Sequence, residues 1–123
     1  MANRKANQIV REKNLKSIHT FLNLLVQKDL DTWMDLWDEN GQQINPYASK
    51  GFPRIISGKN TILHHWSGIP NAYGRKIFSD RKIYPTLDPD VIFTEFQGKI
   101  EVLANNKNYN NRYCCRFTFS KVY

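Results

Sequence analysis

The sequence predicts an α+β chain with an antiparallel sheet. Apolar residues recur at helical spacing as far as Ile69, and from Arg75 onward the period becomes strand-like. The strand-like segments follow one another across short polar turns, without helices between them, so they form a meander and not βαβ units. At 123 residues there is room for one hydrophobic core.

Leu15, Ile18, Leu22, Leu25 and Val26 share one helical face, flanked by Phe21, with Lys13, Lys16, Asn23 and Gln27 elsewhere. They predict an amphipathic helix from about Asn7 to Lys28. Asp29 caps a second, shorter helix, in which Leu30, Trp33, Met34 and Trp37 fall at i, i+3, i+4 and i+7. Asp38-Glu39-Asn40-Gly41 is a turn, and Gln42 to Tyr47 reads as extended. Pro46, Gly51 and Pro53 make the next stretch irregular, up to the brief apolar run Arg54 to Ile56. Ser57-Gly58 opens a third helix with Ile62, His65, Trp66 and Ile69 on one face, ended by Pro70 and Gly74. Strands are expected at Arg75 to Tyr84, Val91 to Leu103 and Tyr113 to Tyr123, parted by Asp88-Pro89-Asp90 and by Ala104 to Asn108.

Composition narrows the function classes. Eighteen basic against eleven acidic residues give a net charge of +7, a surplus that attracts anions. The basic residues are scattered, with mild concentration at Arg4, Lys5, Arg11, Lys13 and Lys16. Nucleic-acid footprints need a clustered basic face, so a solvated basic surface is the expectation. Cys114 and Cys115 are sequence neighbours that a strand points to opposite faces, and they read as reduced, packed thiols. No zinc spacing, Cys-x-x-Cys pair, Ser-His-Asp order or Gly-rich phosphate loop occurs, so neither a metal nor a cofactor is expected. The polar start, Met1 to Gln8, lacks the apolar stretch of a secretory signal. No apolar run approaches the roughly 20 residues that span a bilayer. A cytoplasmic protein is expected.

Four segments then carry a resemblance. Leu36-Trp37-Asp38-Glu39-Asn40-Gly41, Ile56-Ser57-Gly58-Lys59, Ile83-Tyr84-Pro85-Thr86-Leu87-Asp88-Pro89-Asp90 and Phe93-Thr94-Glu95-Phe96-Gln97-Gly98 occur in that order. Together they resemble the SnoaL-like group of the nuclear-transport-factor-2-like superfamily, in register from about Phe21 to Tyr123. Within that group the chain is similar to the phenazine-biosynthesis A/B proteins. The resemblance implies a cone-shaped, strongly curved antiparallel sheet with three helices from the N-terminal half on its concave face. It also implies a homodimer formed through the sheet, and a pocket at the cone mouth. Such pockets serve isomerases, cyclases, dehydratases and hydrolases as well as non-catalytic members, so the fold does not select a reaction.

Within that frame His65 is the first catalytic candidate, because Ile62, Trp66 and Ile69 share its helical face and apolar surroundings would favour a neutral imidazole. In the phenazine A/B proteins an aligned histidine faces the ligand cavity. The alternative is a partly buried histidine held by a backbone carbonyl. Trp37, Tyr47, Trp66 and Tyr73 could line a flat slot for a ring-shaped ligand, with Ile62 as a further pocket residue, or the rings could be ordinary core. Glu95 shares a strand face with Phe93, Gln97, Lys99 and Glu101. It is an acid/base candidate if that face is concave, and surface or interface charge if it is convex. Arg112 could hold a ligand carboxylate or pair across strands.

Many SnoaL-like proteins add a final strand ending in Arg-Glu-Tyr-Phe-Asn-Pro, whose glutamate is the acid/base of the phenazine branch. The sequence runs to Tyr123 without that motif, so the expectation is a family domain over 1–123 lacking its last strand. The predicted function is binding of a small cyclic or aromatic ligand, with cofactor-free isomerase- or cyclase-type proton transfer weakened by the missing acid. The alternative is a non-catalytic interaction module that uses the open sheet face or the basic surface.

Overall fold

The computed structural model describes residues 4–120. Helix α1 (Arg4–Gln27) is followed by α2 (Leu30–Met34), β1 (Gln42–Ile44), β2 (Ile55–Ser57), α3 (Lys59–Trp66), α4 (Ile69–Ala72), β3 (Tyr73–Pro85), β4 (Val91–Val102) and β5 (Lys107–Thr118). β1 and β2 form a two-stranded sheet, and β3-β4-β5 form an antiparallel meander. This is the expected α+β architecture, with helices on one face of a curved antiparallel sheet that does not close.

Period two decides which side of the sheet the helices cover. On β4, Ile92, Thr94, Phe96 and Gly98 are buried, while the residues between them are partly or fully exposed. Ile92 and Phe96 pack with Ile18 and Leu22 of α1, which defines the inner face. A second cluster joins Leu24 and Leu25 of α1 to Trp33, Met34, Ile56 and Ile62, and Phe21 and Phe78 touch both clusters. Polar clamps hold α1 in place at both ends. Asn14 donates to the Pro89 carbonyl at 2.9 Å and Arg11 to the Thr86 carbonyl at 3.0 Å, at the β3–β4 turn. Toward the other end Arg81 of β3 donates to Asn23 at 3.0 Å and meets His19 Nδ1 at 3.0 Å.

Several boundaries differ from the sequence expectation, and those with the clearest physical cause lie in α2, α4 and β5. Asp29 caps α2 as expected, accepting from the Thr32 amide at 3.1 Å, yet α2 stops at Met34. Beyond it the amides of Leu36 and Trp37 bond to the carbonyls of Trp33 and Met34, three residues back, as the chain tightens into the Asp38 turn. Pro70 does not end α3. It lies in the first turn of α4, where its missing N–H costs nothing. Finally, β5 begins at Lys107 and not at Tyr113. Asn108, Asn110 and Asn111 are poor strand formers, but each pairs with β4, and continuing that ladder outweighs local preference. The strand expected to reach Tyr123 ends at Thr118, and its last three positions lie outside the described residues.

Among the described residues no helix is long and apolar enough to cross a membrane. The thiols also differ from expectation. Cys114 is exposed on the outer face, while Cys115 is half-buried on the inner face, where burial pushes its thiol up to about 11.

Candidate functional site

The anticipated aromatic slot is filled. Trp33 is fully buried between α1, α2 and α3, with its ring centroid 5.1 Å from Phe21, 5.5 Å from Trp37 and 5.2 Å from Trp66. Trp37 and Trp66 are therefore partners of a core ring and not two walls of a gap. Trp66 is pinned further, donating its indole N–H to Gln43 Oε1 at 2.7 Å. The indole nitrogens of Trp33 and Trp37 are buried without a hydrogen-bond partner among the described residues. Ile62, expected to line the pocket, is fully buried in the same cluster.

The other candidates are dispersed. His65 is exposed, contrary to the expectation of apolar surroundings. Helix α3 packs through Ile62, Leu63 and Trp66, and His65 sits about 60° round the helix from Ile62, outside that contact. Tyr47 is 98% exposed, because the loop between β1 and β2 closes on itself and turns outward. Its Asn45 amide bonds to the Arg54 carbonyl and its Phe52 amide to the Ser49 carbonyl. Tyr73 is half-buried at the start of β3, opposite Val102.

Glu95 and Arg112 lie on the outer face of the sheet, since the inner set of β4 is the even-numbered one. Arg112 donates to Glu95 Oε2 at 3.1 Å and to Asp80 Oδ2 at 3.0 Å. These hydrogen bonds raise the arginine further above its usual range. Both readings that were open for the pair thus resolve to cross-strand charge. The sheet separates Glu95 from the helix that bears His65.

The structure opens instead a groove of about 440 Å³ between the end of α1 and the start of β3. Asn23 and Val26 line it from α1, Lys28 from the turn just after it, and Gly74, Arg75, Lys76, Ile77, Phe78 and Arg81 from β3. Lys28 adopts a left-handed conformation (φ 61°) that turns the chain away from α1 and brings its side chain to the groove. At Gly74 an added Cβ would meet the tip of the Glu101 side chain, an exposed group with room to swing aside. Arg81 is held by the Phe78 carbonyl, His19 and Asn23, and its burial lowers its basicity.

Lys76 is the unusual member. Only 6% of the residue is exposed, and that remnant opens on the groove, where water reaches the ammonium. Burial first, and then the like charge of Lys28, hold the group below the usual lysine range. The folded chain therefore binds this proton less tightly than the unfolded chain does. The resulting cost to stability is present at neutral pH and vanishes as pH rises to the value of free lysine. Sequence reasoning passed over Lys76 because it weighed only histidines, acids, rings and Arg112. The available signal was a lysine at the inward position between Gly74 and Phe78.

Comparison with known proteins places this geometry in context. Residues 18–121 match the SnoaL-like domain. The chain is 29% identical over 102 residues to the uncharacterized protein YesE of Bacillus subtilis, covering 83% of this chain and 69% of YesE. It is 35% identical over 77 residues to the PhzA/B-like protein PA3332 of Pseudomonas aeruginosa, covering 63% of this chain and 54% of that protein. Among solved structures, a proposed isomerase from Bacillus subtilis superposes with a TM-score of 0.83 at 27% identity, covering 89% of this chain and 78% of that one. The resemblance to phenazine-biosynthesis A/B proteins seen in the sequence is borne out by the relative from Pseudomonas aeruginosa.

Proposed function

Since the chain belongs to the SnoaL-like domain family, we propose that it binds a small cyclic or aromatic molecule on the inner side of the sheet, in the groove between α1 and β3. The observation that carries this reading is the groove itself. Its volume is in the range of small-molecule sites, and Phe78 offers a ring continuous with the core aromatics. The activity we propose is cofactor-free proton transfer of isomerase or cyclase type, a class supported by the likeness to a proposed isomerase. In this reading His65 and Glu95 stand away from the ligand, the groove's own cations polarise its carbonyl group, and water in the open groove takes the proton from the adjacent carbon and returns it.

The test is an amide NMR titration with neutral ring ketones, cyclohexanone and acetophenone among them. Shifts should concentrate at Asn23, Val26, Lys28 and Phe78, and His65→Ala should leave them unchanged. Shifts absent from the groove, or abolished by His65→Ala, would overturn the assignment.

The outer face supports a second element of the reading, a homodimer formed through the sheet. Tyr84 and Phe93 lie opposite each other in register and are 47% and 40% exposed, an apolar pair on a face with no cover in the monomer. Light scattering should give twice the 14.5 kDa chain mass. A monomer at all concentrations would remove this element and leave the groove untouched.

A further inference from the structure

We propose that the groove between α1 and β3 is an oxyanion site, in which the ammonium of Lys76 on the groove wall grips the carboxylate or phosphate group of the bound molecule. The inference rests on the ligand-binding reading above and names the chemistry of the group recognised.

Four cationic side chains line the groove, Lys28, Arg75, Lys76 and Arg81, and no acidic one does. The nearest carboxylate on β4, Glu101, sits against Gly74 and lines a separate depression on the outer face with Arg75 and Lys99. Three of the four cations are ordinary in isolation. Arg81 spends its donors on Phe78, His19 and Asn23, and Lys28 and Arg75 reach solvent. Lys76 is different, because most of the residue is covered while its ammonium, bonded to no protein group, opens on the groove.

Partial burial and the like charge of Lys28 both disfavour this ammonium, and a bound anion would offset both. Its inward position is set by the β3–β4 register, in which Lys76 lies opposite Ile100 and Phe78 opposite Gly98. The covered stem thus carries its charge to the groove, among three other cations and no acid of the lining. An oxyanion entering the groove would meet Lys76 at the bottom and Lys28 and Arg75 at the rim. The same entry would relieve the repulsion between Lys28 and Lys76. Charge-assisted hydrogen bonds of this kind are shorter and stronger than neutral ones.

The experiment measures binding of sodium benzoate and of inorganic phosphate by calorimetry and by the thermal midpoint. It uses the full chain, Lys76→Met, Arg75→Gln and Lys50→Gln. Lys50 is an exposed loop residue that removes the same charge elsewhere. One or both anions should bind the unaltered chain and raise its midpoint. Lys76→Met should weaken that anion roughly tenfold or more, the loss expected when a charged hydrogen bond is removed, and should raise the midpoint of the anion-free protein. Arg75→Gln should weaken binding less, and Lys50→Gln not measurably. Preference for benzoate would mark a carboxylate ligand, and preference for phosphate a phosphate ester. Unchanged binding in Lys76→Met overturns the proposal, as does an equal loss in Lys50→Gln, which would reduce the effect to net charge. If Lys76→Met failed to fold, an Arg75→Gln chain that binds both anions undiminished would overturn it instead. Neutral ring ketones that perturb the groove while both anions fail would leave the ligand-binding reading standing and remove only this one.

Discussion

Trp33→Ala should lower unfolding free energy by about 3–5 kcal/mol, the range for losing a large buried aromatic side chain. Trp33 is the ring around which the helices assemble, fully buried and within 5.5 Å of Phe21, Trp37 and Trp66, centroid to centroid. Its neighbours come from α1, α3 and the turn after α2, so no single segment can move in to fill the void. Trp33→Phe should cost much less. It keeps a ring in place and removes an indole N–H that has no acceptor among the described residues, so no hydrogen bond is lost. Urea titration of the three proteins is the measurement. Near-equal midpoints for Trp33→Ala and the unaltered chain would mean that this space is not packed, and the aromatic slot expected from sequence would be restored.

Ile62→Ala separates two roles that sequence spacing assigned to one face of α3. If Ile62 lined a ligand pocket, truncation would widen that pocket and cost little stability. The structure buries it completely against Leu24, Leu25, Trp33, Met34 and Ile56, so the expected loss is about 2–5 kcal/mol, the transfer term plus the cavity left behind. Benzoate or ketone binding to the folded fraction should be unchanged, because Ile62 does not line the groove. A variant with unaltered stability and altered affinity would return Ile62 to the site.

Much of the fold was legible because its signals are local. The stripe Ile18, Leu22 and Leu25 needs only the 3.6-residue repeat to be recognised, and Asp29 before an apolar run needs only the chemistry of an N-cap. The failures share a physical cause, which is competition with contacts distant in sequence. The asparagines of β5 joined a strand because β4 offered partners along its whole length. Trp37 left its helix because the chain tightens into the Asp38 turn, whose Gly41 carbonyl accepts from the amide of Gly58, seventeen positions on. His65 and Trp66 are sequence neighbours on one helix, yet one is exposed and the other packs against Trp33, because α3 meets the core along a narrow line.

The site was less legible than the fold for a related reason. Residue type nominated His65, Glu95 and Arg112, but type says nothing about which face of a strand or helix meets the core. A shift of one position in a strand exchanges inside for outside, and Glu95 falls outside while Thr94 and Phe96 fall inside. Lys76 falls inside by the same rule, and only the packing of α1 over β3 turns an unremarkable lysine into a cation on the groove wall.

By itself the sequence determined the succession of helices and then strands, their turns and the family they belong to, since each depends on residues close together in the chain. Tertiary structure alone decided which rings fill the interior, which charges stay wet and where a cavity remains. Those outcomes turn on how surfaces from distant segments meet, and pairing across the sheet together with closure by α1 sets them only once the whole chain has folded.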